Sequence, residues 1–218
     1  LTGSISSATA IRKSIMKLSE NILTDDMVAA LPPSSRWILK EEFEAGRGPV
    51  FSENYDRMLI SFLRNMSKDQ LNALPYISEG IENRIKEGAN LSGTIEELIE
   101  NISTKRYTRT RIQRILFNVF TGLTREELDD FVKGHGPQYI RVLGFNQKGR
   151  KLLSQINKKA MLPVIIKTAD FKKSCNPLLR RMLEIEAHAT DMYVLGYPNP
   201  AFRRAGQDFT QNIQYEKG

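Results

Sequence analysis

Lys105-Arg106-Tyr107-Thr108-Arg109-Thr110-Arg111-Ile112-Gln113-Arg114-Ile115-Leu116-Phe117-Asn118-Val119-Phe120 is the stretch on which the fold turns. Ile112, Ile115, Leu116, Val119 and Phe120 recur at helical spacing and form a wide apolar stripe. Residues 107–120 are therefore expected to be an amphipathic helix with that stripe against a core. The same geometry sends Tyr107, Arg111 and Arg114 to the opposite face and leaves Arg109 at the border. Lys105, Arg106, Arg109, Arg111 and Arg114 fall within ten residues that contain no acid. Such a face suits phosphate groups, with Tyr107 able to stack on a base. It equally suits a solvated surface whose Arg stems cover apolar area.

Helical periodicity continues on both sides. Residues 6–18 open on hydroxyl side chains, with Ile11, Ile15 and Leu18 on one stripe. Asp25–Ala30 reads as a short helix stopped at Pro32-Pro33. Residues 34–45 end at Gly46 and offer Trp37, Ile38 and Phe43 to the core. Helices are expected over 54–66, with Met58, Leu59, Phe62 and Leu63, and over 67–74, 79–87, 94–102 and 124–133. Ser67 with Gln70, Thr94 with Glu97 and Thr124 with Glu127 have the spacing of capping boxes.

Near residues 138–166 the pattern changes. Residues 138–145 alternate and are rich in strand formers, 146–160 are helical, and 162–166 form a second short strand. Strand, helix and strand at this spacing predict a βαβ crossover with two parallel strands. A last long helix covers 176–195, with Leu178, Met182, Ile185, Ala189 and Met192 as its apolar stripe. The polar tail is expected to be pinned by Phe202, Phe209 and Tyr215. The fold class is mainly α, a helical body with one small βαβ element.

Composition sets the outer limits. The chain has 218 residues, 40% of them hydrophobic, enough for one or two domains, and a mean hydropathy of −0.38. No apolar run reaches the ~20 residues that span a bilayer, so no membrane partner is expected. Cys175 is the single cysteine, which rules out an internal disulfide and fits a reducing cytoplasm. It is expected to be a half-buried, inert thiol. The net charge of +7 invites a polyanionic partner, and beyond residues 105–114 further cations gather at Lys148, Arg150, Lys151, Lys158, Lys159, Lys172, Lys173, Arg180 and Arg181. The first third of the chain has no comparable cluster, which favours a polyanion track over evenly spread solubilising charge.

Near the start, Gly3-Ser4-Ile5-Ser6-Ser7-Ala8-Thr9-Ala10-Ile11-Arg12 sets hydroxyls and free amides at a helix N-terminus, with an arginine further along. That arrangement binds phosphate, although an ordinary hydroxyl N-cap has the same composition. Glu184, His188 and Asp191 share one face of the last helix. They are expected to be a solvated ion row, with no metal bound.

Ser7-Ala8-Thr9-Ala10-Ile11-Arg12 resembles the second signature of the HIGH-type nucleotidyltransferases, with Ser6 where that signature usually has Ile. Taken in order with the run from Lys105 to Arg114, the Tyr139-Ile140-Arg141-Val142-Leu143-Gly144-Phe145-Asn146 stretch and Leu162-Pro163-Val164-Ile165-Ile166, the chain resembles the tRNA(Met) cytidine acetate ligases along nearly its whole length. The resemblance implies a two-step reaction. ATP, with Mg, activates acetate as acetyl-adenylate, and the acetyl group passes to N4 of the wobble cytidine of elongator tRNA(Met). It also implies that Ser6, Ser7, Thr9 and Arg12 hold ATP phosphates. Lys105, Arg106, Tyr107, Arg109, Arg111, Arg114, Lys148, Arg150 and Lys151 would then bind tRNA.

His135 and His188 sit in no His-x-x-His element, so no catalytic residue is expected in this chain. Nor is any cofactor expected to be held tightly. Leu1 is not a Met, so further residues are expected upstream, and the resemblance implies that they form a Rossmann-like nucleotidyltransferase domain absent from this chain. Residues 1–31 would be the tail of that domain and a linking helix, and residues 32–218 a mostly helical C-terminal tRNA-binding domain. The alternatives are a stand-alone helical RNA-binding module and a protein-interaction adaptor. Neither needs a phosphate site at residues 7–12.

Overall fold

The computed structural model describes residues 7–18, 24–172 and 174–216. Ser6 and Lys173, both singled out above, lie outside them. The described residues fall into two compact units. One comprises the described residues up to 55 together with 193–204, the other the described residues from 56 to 192 together with those from 205 onward.

In the first unit, α1 (Ala8–Ile15), α2 (Asp25–Ala30) and α3 (Pro33–Glu44) follow one another. Gly46 ends α3 at φ 72°, and a Cβ there would meet the Asn199 Cβ at 2.6 Å, so only glycine fits this turn. Asn199 in turn donates its amide to the Gly46 carbonyl at 3.0 Å and its carboxamide to the Ala45 carbonyl at 3.1 Å. Phe43 is core as expected. Trp37 and Ile38 are not, being 61% and 51% exposed, because the turns of α3 that carry them face away from the packed side.

The second unit is built on α4 (Asp56–Asn65), α5 (Lys68–Asn72), α6 (Ile81–Leu91), α7 (Ile95–Ile102), α8 (Arg109–Thr121) and α9 (Arg125–Lys133). Leu59, Leu63, Ile81, Ile85, Leu98, Ile102, Ile112 and Ile115 are buried where α4, α6, α7 and α8 meet. Gly88 lets α6 and α7 approach, since a Cβ there would sit 3.1 Å from Ile102. Helix ends are tied across the bundle. Lys86 of α6 donates to the Leu63, Arg64 and Met66 carbonyls at the end of α4, and Arg64 returns the favour at Ala89 and Ser92. Cations at these ends also oppose the helix dipole. The capping boxes at Ser67–Gln70 and Thr124–Glu127 form. At Thr94 the hydroxyl caps Glu97, but the Glu97 carboxylate reaches the Gly93 amide instead.

The βαβ element is present. β1 (Ile140–Arg141) pairs in parallel with β3 (Val164–Ile165), and α10 (Gln147–Lys159) crosses between them. The expected single strand over 138–145 is broken, however. Its end, β2 (Gly144–Asn146), pairs in parallel with β4 (Gln214–Glu216) from the tail, and Tyr215 packs edge-on to Phe145 at 5.5 Å. Among the described residues, four short strands in two pairs replace the two expected. The last long helix, α11 (Pro177–Val194), buries Leu179, Leu183 and Ala187. Leu178, Met182, Ile185, Ala189 and Met192 are only half-buried, so the core stripe runs one residue further along than the sequence suggested. A short helix, α12 (Gln207–Thr210), sets Asp208 against Arg141 at 3.0 Å. Among the described residues no helix is long and apolar enough to cross a membrane. Cys175 is exposed, not half-buried, because it precedes α11 in an open turn.

Candidate nucleic-acid interface

The run from Lys105 to Arg114 is folded differently from the expectation in one respect that matters for binding. α8 begins at Arg109, where Thr108 caps the Arg111 amide. Tyr107 therefore precedes the helix and turns inward. Only 7% of it is exposed, and its hydroxyl donates to the Glu79 carbonyl at 2.6 Å. Stacking of Tyr107 on a base is thus corrected. Its ring is instead ringed by guanidinium groups, with Arg111, Arg106 and Arg84 at 5.6, 5.7 and 6.0 Å from the centroid, each a cation–π contact.

The arginines themselves are largely engaged. Arg106 pairs with Glu79 at 3.0 Å, and Arg109 grips Glu96 of α7 through both nitrogens at 2.7 and 2.5 Å. Arg111, half-buried, donates Nε and Nη2 to the Tyr76 carbonyl and Nη2 to Ser78 Oγ at 2.6 Å. Arg125 adds a bond to the Ile77 carbonyl. These groups pin the loop of residues 74–80, in which Tyr76 and Glu79 take left-handed backbone angles of φ 65° and 63°. Hydrogen bonding and charge from Arg106, with Arg111 behind it, hold the Glu79 carboxyl below the usual range. The Arg109 fork does the same to Glu96. Lys105 and Arg114 remain exposed without an acidic partner among the described residues, and the Arg114 guanidinium lies 5.9 Å from the Tyr76 ring.

α10 presents the contrasting surface. Its sequence Gln-Lys-Gly-Arg-Lys-Leu-Leu-Ser-Gln-Ile-Asn-Lys-Lys has no acid. Asn146 caps the helix by accepting from the Gly149 amide at 2.9 Å, and Gly149 sits 3.0 Å from Phe145 where a Cβ would be. Lys148, Arg150, Lys151, Lys158 and Lys159 are all exposed. Among the described residues no carboxylate pairs with any of them.

At α1, Ser7 is the N-cap, its Oγ accepting from the Ala10 amide at 3.2 Å. Among the described residues nothing takes up the Ala8 and Thr9 amides, and Thr9 and Arg12 are exposed and unpaired. Two amides, two hydroxyls and a guanidinium within residues 7–12 are the kinds of group that can hold an anionic phosphate. At the other end of the chain, Glu184 pairs with Arg181 at 3.6 Å and Asp191 accepts from the Gly206 amide at 2.6 Å. Among the described residues no three side chains of metal-binding type are grouped to hold an ion. The sequence reading missed Tyr76, Arg84 and Phe117. A lone Tyr after Pro75 and an exposed Phe inside an apolar stripe carry no signal of their own.

The chain thus offers two surfaces without acidic partners among the described residues, the start of α1 and the length of α10. A model of the HIGH Nucleotidyl Transferase family matches residues 1–208, and the chain belongs to that family. Within it, the chain is 52% identical over 213 residues to the tRNA(Met) cytidine acetate ligase of Acetivibrio thermocellus, a match covering 98% of this chain and 51% of that protein. The ligase of Thermosipho africanus is 37% identical over 230 residues, covering 99% and 53%. The crystal structure of Thermotoga maritima TmcAL bound with alpha-thio ATP matches with a TM-score of 0.89 at 32% identity, covering 98% of this chain and 53% of that one. The chain spans about half the length of the curated relatives it matches.

Proposed function

We propose that this chain is the C-terminal, tRNA-binding portion of an ATP-dependent ligase that activates acetate as acetyl-adenylate and acetylates N4 of the wobble cytidine of elongator tRNA(Met). In this reading residues 1–31 belong to a nucleotide-binding domain whose larger part lies upstream, and residues 32–218 hold tRNA. The chain carries no catalytic residue and does not adenylate acetate alone. The protein works in the cytoplasm.

The observation that carries the reading is α10, thirteen residues with five exposed cations and no acid. An unpaired cation costs nothing to redirect toward phosphate, whereas a paired one must first give up its partner. Lys148, Arg150 and Lys151, with Lys105 and Arg114, therefore make the main phosphate contacts. Arg106, Arg109 and Arg111 act chiefly by shaping the surface around them. Phosphate contacts position RNA without reading it. The alpha-thio ATP in the Thermotoga maritima structure supports ATP as the nucleotide, and the relatives' name supports tRNA(Met) and acetate as the other substrates. Ser7, Thr9 and Arg12, with Ser6, contact its phosphates, and Mg accompanies it.

The ATP assignment is tested in an enzyme that includes the upstream half. A charge-assisted hydrogen bond to phosphate contributes ~1.5–3 kcal/mol, so Arg12→Ala raises the ATP needed for half-maximal acetate-dependent pyrophosphate release by about ten-fold or more. Affinity for tRNA stays unchanged. Wild-type kinetics at limiting ATP would reduce residues 7–12 to a plain helix cap.

A further inference from the structure

On the outer side of α8, Thr110, Gln113, Arg114, Phe117 and Asn118 follow one another at helical spacing and line a shallow hollow that Tyr76 closes from the preceding loop. Both aromatic residues are open to solvent, Phe117 at 63% and Tyr76 at 46%. The Tyr76 ring does not swing freely. Its backbone is left-handed at φ 65°, an unusual state for a bulky residue, and its carbonyl is clamped by two nitrogens of Arg111. Arg114 lies beside the ring.

Asn118 is the second, independent observation. The residue is 6% exposed and lines the hollow, and among the described residues no hydrogen bond engages its carboxamide, whose atoms still reach solvent. The carboxamide is thus open to a hydrogen-bonding group that enters the hollow.

We propose that this hollow receives one unstacked base of single-stranded RNA. A base offers a π face to Tyr76 and Phe117, and a donor–acceptor edge to the Asn118 carboxamide. Arg114 meets the adjoining phosphate or stacks on the base. Charge selects this occupant, since the hollow is lined by a cation and no acid. An apolar partner would leave Asn118 unsatisfied. The inference rests on the tRNA-binding reading and deepens it, by supplying a base contact that phosphate-gripping cations cannot.

The test titrates a single-stranded oligoribonucleotide carrying 2-aminopurine into the wild-type chain, Tyr76→Leu, Tyr76→Phe and Phe117→Ser. Thermal unfolding checks that each variant is folded, and Phe117 is exposed enough for its replacement to leave the fold intact. Wild type and Tyr76→Phe quench the fluorescent base. Tyr76→Leu and Phe117→Ser lose the quench and bind about ten-fold more weakly, with the same dependence on salt. If wild type binds while the variants bind and quench equally well, the base site is overturned and the tRNA-binding reading stands. If wild type binds no RNA even at low salt, the tRNA-binding reading fails and takes this inference with it.

Discussion

Five cations lie between Lys105 and Arg114, and five more lie on α10. In the first group Arg106 and Arg109 are paired with Glu79 and Glu96, and Arg111 is spent on the carbonyl of Tyr76. In the second group no acid is within reach among the described residues. The acids that neutralise the first group are distant in sequence: Glu79 sits in the turn before α6 and Glu96 on α7. They converge because α7 and α8 pack against each other. A run of basic residues therefore announces charge but not its availability, which is decided by what the fold brings opposite.

The comparison breaks most visibly at Arg111. Its side chain is 24% exposed, and it satisfies the Tyr76 carbonyl and the Ser78 hydroxyl. Arg111→Ala is expected to lower stability by about 1.5–3 kcal/mol, the range for hydrogen bonds that involve a charged group. Lys151→Ala on α10 should stay within about 0.5 kcal/mol, as surface changes usually do. Urea unfolding of both variants measures this. Equal, negligible losses would mean that the clamp on the loop is idle.

A smaller effect sharpens the same point at Glu127. Burial raises its pKa, but the hydrogen bond from Arg181, those from Thr124 and the charge of Arg181 outweigh burial and leave it lowered. A carboxyl whose folded pKa is depressed contributes stability above its unfolded pKa of about 4.3, and that contribution is lost as pH falls through the folded value. Glu127→Gln should thus be less stable than wild type on the order of 1 kcal/mol at neutral pH. The gap should close as the medium is acidified below pH ~4. A gap that persists in acid would assign the effect to packing, not to the ion pair.

Much of the architecture was legible because it follows from local rules. Apolar spacing marked α4 to α9, Ser67 and Thr124 announced their caps, and β1–α10–β3 followed from the change of period. What was not legible depended on partners remote in sequence. The tail strand β4 is three polar and aromatic residues whose pairing with β2 no local pattern encodes. Tyr107 was assigned outward by starting the helix two residues too early. The cap at Thr108 stops the helix there and sends the ring inward. Trp37 looked like core by its chemistry, yet its turn of α3 faces solvent. The candidate phosphate start was legible as a pattern of hydroxyls and arginine, whereas the exposed pair of Tyr76 and Phe117 was invisible until the loop of residues 74–80 was seen against α8.

Titration of tRNA at several salt concentrations reads the number of phosphates neutralised, since each contact adds about 0.7–0.9 to the slope of log affinity against log salt. The variants to compare are Lys148→Ala/Arg150→Ala/Lys151→Ala on α10 and Arg106→Ala/Arg109→Ala at the start of α8. The α10 variant should lose about two to three units of slope and bind all tRNAs more weakly. The α8 variant should keep the wild-type slope to within about one unit, because its arginines are committed to Glu79 and Glu96. A wild-type slope in the α10 variant together with a collapsed slope in the α8 variant would contradict the account.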